Sequence, residues 1–217
     1  MIFDDRVAAG EALGEELRGR FARTDSADAL VLGIPRGGVI VAAAVARVLG
    51  ASLDVIVPRK IRAPQNPELG LGAVAPGVQV LDERLIRSLR VDPVYLQGEI
   101  ARAETEIGRR ELTYRGDRRP ANVRDRLAIV VDDGIATGGT AVAALRWARA
   151  QAAAKTVMAA PVAPASVGAM LRGETDEIVI LFEPDPFVAV GRWYRDFDQT
   201  SDAEVVAALS GTVNETR

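Results

Sequence analysis

The 217-residue sequence contains no cysteine and no histidine. The absence of cysteine excludes disulfide bonds, thiolate metal sites and a cysteine nucleophile. The absence of histidine removes the most common general base and the most common zinc ligand. Any acid–base chemistry in this chain must therefore use carboxylates, lysine, tyrosine, backbone groups or the substrate itself.

Aromatic residues are also few, the net charge is small, and long apolar runs are absent from the sequence. Aromatic residues make up 5% of the chain and the formal net charge is −3 at pH 7, which does not indicate binding to nucleic acid or to an anionic membrane. The longest apolar stretch, 39–49, contains Arg47 and is too short to span a bilayer. Because the N-terminus also has no signal-peptide pattern, we expect a cytoplasmic protein that binds neither nucleic acid nor membranes.

Hydrophobic residues form 48% of the chain, which suffices for a large core, and the length fits a single domain over 1–217. Short apolar runs alternate with helix-forming segments. We predict strands at 29–34, 53–57, 127–131, 156–162 and 177–182, and helices at 5–23, 39–49, 141–154, 166–172 and 203–209. This alternation is typical of an α/β fold with a doubly wound, mostly parallel sheet and helices on both faces.

The remaining segments depart from this alternation. Residues 58–70 contain three prolines and no regular period, so we predict a loop. Residues 71–81 suggest a short hairpin. Segment 82–122 is predicted to be a charged helical insertion whose second helix begins after Asp92. The C-terminal segment 183–217 is aromatic and irregular before its short helix.

The most informative feature is the run from Val130 to Thr140. A buried strand ends there in two adjacent carboxylates, Asp132 and Asp133, followed by a turn rich in threonine and glycine and then by a helix. Glycine lets several backbone N–H groups point at one spot, and the start of a helix adds a partial positive charge. The turn 137–140 is therefore a candidate phosphate site, although it is neither a Walker loop nor a dinucleotide fingerprint.

Asp132 and Asp133 cannot hold a phosphate, because like charges repel. They suit hydroxyl donors or a metal cation, so a ligand that fits both the carboxylates and the turn is a sugar phosphate. The alternative is an ordinary strand-to-helix turn capped by Thr140, with one carboxylate acting as a cap and the other solvated.

Two further positive groups each follow a predicted strand. They are Arg36-Gly37-Gly38 and Arg59-Lys60. Because the carboxyl ends of parallel strands meet at one edge of a sheet, we expect 35–38, 58–70 and 132–140 to share that edge. The two basic groups together would form a second anion pocket opposite the first. The alternatives are a simple turn with a solvated arginine and a surface pair of basic residues.

An aromatic cluster, Phe187, Trp193 and Tyr194, lies in the C-terminal segment. A flat ring could stack there. The equally acceptable interpretation is that these residues pack a lid onto the body of the protein.

These motifs together resemble the type I phosphoribosyltransferase family. The run IVVDDGIATGGT is similar to the family's phosphoribosyl-pyrophosphate signature, and Pro-Arg-Gly-Gly-Val at 35–39 is similar to its pyrophosphate loop, where a non-proline cis peptide is usual. Arg59-Lys60 resembles the basic pair that meets pyrophosphate, and 184–196 resembles the hood that holds the nucleobase. The opening Phe3-Asp4-Asp5-Arg6 and the run VPRKIRAPQNPELGLGAVA resemble a bacterial group of this family whose acceptor is not established.

The resemblance implies a role for each motif. Asp132 and Asp133 would hold the ribose hydroxyls and, through them or through water, Mg²⁺. The groups implied for the 5′-phosphate are Ala136, Thr137, Gly138, Gly139 and Thr140; those for pyrophosphate are Arg36, Gly37, Gly38, Arg59 and Lys60; those for the base are Phe187 and Trp193. The implied ligands are phosphoribosyl pyrophosphate and a nitrogenous base, and the implied assembly is a homodimer.

Ala136 is the one clear departure from the family pattern. Enzymes of the family that act on 6-oxopurines usually carry Asp at this position, whereas adenine enzymes also carry Ala, so the residue argues against hypoxanthine or guanine as acceptor. Glu68 is the remaining candidate for the general base, the group that would take the proton from the acceptor. Two hypotheses follow, a Mg²⁺-dependent phosphoribosyltransferase and a non-catalytic sensor that binds the same ligand. An unrelated sugar-phosphate enzyme would need a nucleophile or proton-transfer pair that the sequence does not clearly offer.

Overall fold

The computed structural model describes residues 2–21 and 28–211, apart from the side chains of residues 67 and 68. The strands are β1 (Leu30–Gly33), β2 (Ser52–Val55), β3 (Arg59–Ala63), β4 (Asn66–Ala75), β5 (Val78–Leu81), β6 (Leu127–Val131), β7 (Lys155–Val162) and β8 (Glu177–Phe182). The helices are α1 (Arg6–Arg20), α2 (Gly37–Leu49), α3 (Glu83–Ser88), α4 (Pro93–Arg115), α5 (Gly139–Ala150), α6 (Ala165–Leu171) and α7 (Asp202–Gly211), with a 3₁₀ turn at Val190–Trp193.

A parallel sheet of five strands, in the order β2-β1-β6-β7-β8, forms the centre of the molecule. Alternate residues of its strands point to opposite faces. Val31, Ile129 and Val157 belong to the core beneath α1 and α2, whereas Val130 and Met158 belong to the core beneath α5. The predicted α/β fold with a doubly wound, mostly parallel sheet is therefore confirmed.

The prediction of a loop over 58–70 is wrong. This segment contains β3 and the beginning of β4, which pair antiparallel and form a second sheet with β5. The register shifts twice, between Ile61 and Ala63, and such irregular pairing removes the period of two by which a strand is recognised. The predicted hairpin over 71–81 is present, and Gly77 adopts a positive φ of 72° in its turn.

Segment 82–122 contains α3 and α4. Asp92 caps α4, its side chain accepting a hydrogen bond from the N–H of Val94, and Pro93 is the first helical residue, as the sequence predicts. The treatment of 82–122 as an insertion and of 183–217 as a hood stays a prediction about domain organisation.

A buried ion pair attaches the end of α4 to the central sheet. Arg115 Nε donates to Asp54 Oδ1 at 3.0 Å, and the second oxygen of Asp54 accepts from the N–H of Ala121 at 2.7 Å. The guanidinium also donates to the carbonyl of Val55 at the end of β2. These contacts satisfy a carboxylate and a guanidinium that would otherwise be buried at a large cost.

The helix predicted over 5–23 is observed as α1, and residues 22 and 23 lie outside the described ranges. The helix expected at 39–49 begins two residues earlier, at Gly37. Within the described ranges, no helix has the length and apolar character needed to cross a bilayer.

Candidate functional site

A cavity of about 440 Å³ lies at the carboxyl edge of the parallel sheet. Segments that follow β1, β2 and β6 meet there, as expected for an open α/β sheet. Its lining residues are Arg6, Ile34, Pro35, Arg36, Gly37, Pro58, Asp132, Asp133, Thr140, Phe197, Gln199 and Thr200. The predicted meeting of the 35–38 and 132–140 turns is therefore observed.

The acid pair is held by hydrogen bonds from three directions. The N–H of Asp133 donates to Asp132 Oδ1 at 2.9 Å. The hydroxyl of Tyr194 donates to the carbonyl of Asp133 at 2.5 Å. Arg6 Nε donates to Asp133 Oδ2 at 2.8 Å. The backbone and one oxygen of each carboxylate are thus held by other groups of the protein.

Burial raises the pKa of Asp132 well above its usual range, and the neighbouring charge of Asp133 acts in the same direction. Arg6 lowers the pKa of Asp132 but does not reverse the shift. Burial also raises the pKa of Tyr194, which keeps its hydroxyl a donor. A ligand that donates hydroxyl hydrogens, or brings a cation, would relieve the repulsion between the two carboxylates.

The turn after β1 lies directly against the acid pair. Its peptide bond between Pro35 and Arg36 is cis. A Cβ atom on Gly37 would lie 1.9 Å from Asp133 Oδ2, and one on Gly38 would lie 2.9 Å from the Cα of Asp132. Both distances are too short for a real side chain, so these glycines are needed for the close approach of two turns.

The turn at 136–140 leads into α5. Gly138 has a φ of 74°, a left-handed conformation that favours glycine, and its carbonyl accepts from the N–H of Val142. In the part of the chain that the structure describes, the backbone N–H groups of 136–138 donate to no protein acceptor, and residues 139 and 140 are the first of the helix, where N–H groups have no intrahelical partner. Ala136 and Thr137 are exposed, and Thr140 lines the cavity. These donors at a helix start are suited to an anion.

Arg59 and Lys60 do not line this cavity; Pro58, just before them, does. Arg59 faces α4, where it borders a separate open groove with Arg102 and Glu106. Partial burial lowers the pKa of Arg59, and its proximity to Arg110 adds to this effect. The basic pair begins β3 rather than ending a strand of the central sheet, and its predicted contact with pyrophosphate stays a prediction.

Phe187 and Trp193 also lie outside the cavity lining. They pack in a cluster with Phe3 and Tyr194, and the ring of Trp193 meets that of Phe182 edge-on at 5.0 Å. Trp193 Nε1 is buried without a hydrogen-bond partner among the described residues. This packing corresponds to the lid interpretation, and a role in binding the base stays a prediction.

Sequence reasoning assigned no role to four residues of the lining, Arg6, Phe197, Gln199 and Thr200. Arg6 is contributed by the first turn of α1 and the other three by the segment before α7. Arg6 lies 127 positions from its partner Asp133, so no local spacing signals the contact. The motif containing Arg6 contributed to the family resemblance, which was the one available signal.

Comparisons with known proteins agree with this geometry. The family model described as "Phosphoribosyl transferase domain" matches residues 5–178. The chain is 44% identical over 209 residues to a Mycobacterium tuberculosis protein named "Putative phosphoribosyl transferase Rv0571c", with the same values in a second strain. This match covers 96% of the chain, which spans about half the length (46%) of these curated relatives.

A solved structure resembles the whole chain. The crystal structure of TT1426 from Thermus thermophilus superposes with a TM-score of 0.81 at 40% sequence identity, covering 96% of this chain and 98% of that one. The similarity therefore extends past residue 178, where the match to the family model ends.

Proposed function

Because this chain belongs to the phosphoribosyl transferase family, we propose that it transfers the 5-phosphoribosyl group from phosphoribosyl pyrophosphate to a nitrogenous base. The observation that carries the proposal is the cavity that brings together the acid pair, Thr140 at the helix start and the turn at 35–37. The acid pair suits two ribose hydroxyls, the 136–140 turn suits the 5′-phosphate, and Arg36 with its neighbouring backbone suits pyrophosphate.

The reaction that fits these groups needs no protein nucleophile. The bond from C1′ to the pyrophosphate oxygen breaks and its electron pair leaves with pyrophosphate. An acceptor nitrogen forms the new bond to C1′ with its lone pair, and the proton that it loses passes to water or to the released pyrophosphate. Asp132 and Asp133 would hold the ribose ring while positive charge develops on it. Most of the rate enhancement would come from placement and electrostatics, which suits a chain without histidine or cysteine.

The donor set at the cavity fits Mg²⁺ only together with a substrate. Among the described residues, no group of three acidic, histidine or cysteine side chains could hold a metal alone. Mg²⁺ commonly takes one or two carboxylates, several waters and substrate phosphate oxygens, so Asp132 and Asp133 would hold it indirectly, through water or the ribose hydroxyls. When bound, Mg²⁺ would offset the charge of the leaving pyrophosphate.

Calorimetric titration with phosphoribosyl pyrophosphate and Mg²⁺ tests the proposal. We expect wild type to bind, and Asp132→Asn combined with Asp133→Asn to weaken binding by roughly two orders of magnitude, because hydrogen bonds to charged groups contribute about 1.5–3 kcal/mol each. No binding by wild type, or equal binding by the double variant, would contradict the proposal. Asp28→Asn is the matched control, since Asp28 is exposed and remote from the cavity.

A second candidate function is a non-catalytic sensor of the same ligand. Ala136 occupies the position at which 6-oxopurine enzymes of the family usually carry Asp, and the titratable residues lining the cavity are two arginines and the acid pair. The side chain of Glu68, the other candidate base, lies outside the described residues. Release of pyrophosphate with any purine, pyrimidine or other amine acceptor would exclude a sensor without catalysis.

We propose that the acceptor is a nitrogenous base other than hypoxanthine or guanine, because Ala136 stands where enzymes of the family that act on 6-oxopurines usually carry Asp. The homodimer and the cytoplasmic location remain predictions of the sequence. Gel filtration with light scattering measures the first, and fractionation of cells measures the second.

A further inference from the structure

Arg6, in the first turn of α1, contacts both the acid pair and the segment that precedes α7. Its Nε donates to Asp133 Oδ2 at 2.8 Å, and its Nη1 donates to the carbonyl of Asp198 at 2.9 Å. Its guanidinium also lies 3.9 Å from the ring centre of Phe197. The side chains of Arg6 and Asp133 are 13% and 16% exposed, respectively, so this is a partly dehydrated ion pair on the cavity wall.

The backbone that carries Arg6 is fixed from two sides. Asp5 caps α1 by accepting from the N–H of Ala8 at 2.8 Å. Phe3 exchanges hydrogen bonds with the C-terminal segment, donating to the carbonyl of Trp193 at 2.8 Å and accepting from the N–H of Arg195 at 2.9 Å. The first helical residue is therefore held at one place over the cavity.

The packing of α1 on α2 adds to this constraint. A Cβ on Gly10 would lie 2.5 Å from the carbonyl oxygen of Val41, and one on Gly14 would lie 2.8 Å from Val48 Cβ. The two helices are thus in close contact, and α2 begins at the turn that faces the acid pair. A Cβ on Gly37 would lie 1.9 Å from Asp133 Oδ2 and 2.5 Å from Arg6 Nε. The ion pair therefore packs directly against the backbone of that turn.

We propose that Arg6 is a positioning residue that holds Asp133 in the orientation in which its other oxygen, Oδ1, accepts a ribose hydroxyl. The proposal rests on the proposed function, because it names how the same site recognises the pentose. Arg6 also offsets one of the two adjacent negative charges, so that the pair can accept two hydroxyls at once. Arg6 acts through Asp133, and the phosphate end of the ligand does not depend on it.

The test uses calorimetric titration of the full chain with ribose 5-phosphate and with inorganic phosphate. Arg6→Gln should weaken binding of ribose 5-phosphate about tenfold or more, the range expected for a hydrogen bond to a charged group, and change phosphate binding less than twofold. In the Asp133→Asn background, Arg6→Gln should have little further effect, because the residue through which it acts is already changed.

The matched control is Arg195→Gln. It removes one arginine from the same junction of chain ends, but its ion pair with Asp4 is exposed, so binding of both ligands should stay within twofold of wild type. Arg6→Lys is a second variant in case Arg6→Gln does not fold. Lysine keeps the charge but lacks the planar guanidinium, which donates to two acceptors at once. Its affinity for ribose 5-phosphate should lie between those of wild type and Arg6→Gln.

Several outcomes would overturn the role of Arg6 while leaving the proposed function intact. They are wild-type or tighter binding of ribose 5-phosphate by Arg6→Gln, an equal loss for inorganic phosphate, and additive losses in the double variant. Tighter binding would instead identify Arg6 as a group that the ligand must displace. If wild type binds no ribose 5-phosphate, the proposed function itself fails.

Discussion

At the scale of single residues, Gly37 shows how little space separates the two turns of the site. We expect Gly37→Ala to lower both ligand affinity and thermal stability, because its Cβ would overlap Asp133 Oδ2, 1.9 Å away. Displacing the acid pair should cost about tenfold or more in affinity for phosphoribosyl pyrophosphate. Calorimetry and a thermal melt measure the two effects.

Gly173→Ala is the control for that prediction. Gly173 is exposed, and no atom lies within 4 Å of the position of its added Cβ, so stability should change by less than about 0.5 kcal/mol. Unchanged binding by Gly37→Ala would show that the turns separate more easily than their packing indicates.

The sequence predicts the place of some residues in the candidate site and not of others. Asp132, Asp133 and the 136–140 turn are contiguous, so their chemistry and spacing can be recognised directly. Gly37 can be recognised as a turn residue, but its close approach to Asp133 depends on the pairing of β1 with β6. The position of Arg59 depends on β3 pairing with β4, which the loop prediction excluded.

At the scale of elements, the attachment of α4 to the central sheet depends on the buried pair of Arg115 and Asp54. We expect Asp54→Asn to lower the free energy of unfolding by about 1.5–3 kcal/mol, because it removes the charged acceptor of the buried hydrogen bond and leaves Arg115 paired only with the less buried Glu111. Urea denaturation measures the change. Replacing both residues by leucine should restore part of the loss, since no uncompensated charge would then be buried.

The matched control for this element is Glu83→Gln. Glu83 forms an exposed ion pair with Arg87 in α3 at 3.7 Å, and such pairs contribute at most about 1 kcal/mol. An equal loss in both variants would mean that burial of the Asp54 pair is not what stabilises the attachment.

At the scale of the whole molecule, Tyr114 connects α4 to the C-terminal helix. Its hydroxyl donates to Asp202 Oδ1 at 2.7 Å, and burial, followed by this hydrogen bond, raises its pKa to about 12 from an ordinary value of 10.0. Because the folded pKa lies above the unfolded one, the stabilisation is fully present below pH 10 and is lost as the pH rises through 12.

We therefore expect wild type to lose stability more steeply than Tyr114→Phe between about pH 10 and pH 12, since the variant has no hydroxyl to ionise. Near neutral pH the same variant should be about 1 kcal/mol less stable, because it lacks the hydrogen bond. Urea denaturation across this pH range measures both. Tyr95→Phe is the control, because the hydroxyl of Tyr95 donates to the carbonyl of Arg62 in an exposed hydrogen bond. If the stability of wild type and of Tyr114→Phe falls equally with pH, the prediction is wrong.

The sequence by itself determined the features that depend on near neighbours in the chain. These are the periods of the parallel strands and helices, the cap at Asp92, the glycine- and threonine-rich turn at 136–140 and the adjacent acid pair, since each results from the chemistry of residues only a few positions apart. The tertiary structure alone decided the antiparallel pairing of β3 with β4, the direction in which Arg59 faces and the pairing of Arg6 with Asp133. Those features depend on which distant segments meet, and hydrophobic packing of helices against both faces of the sheet determines that.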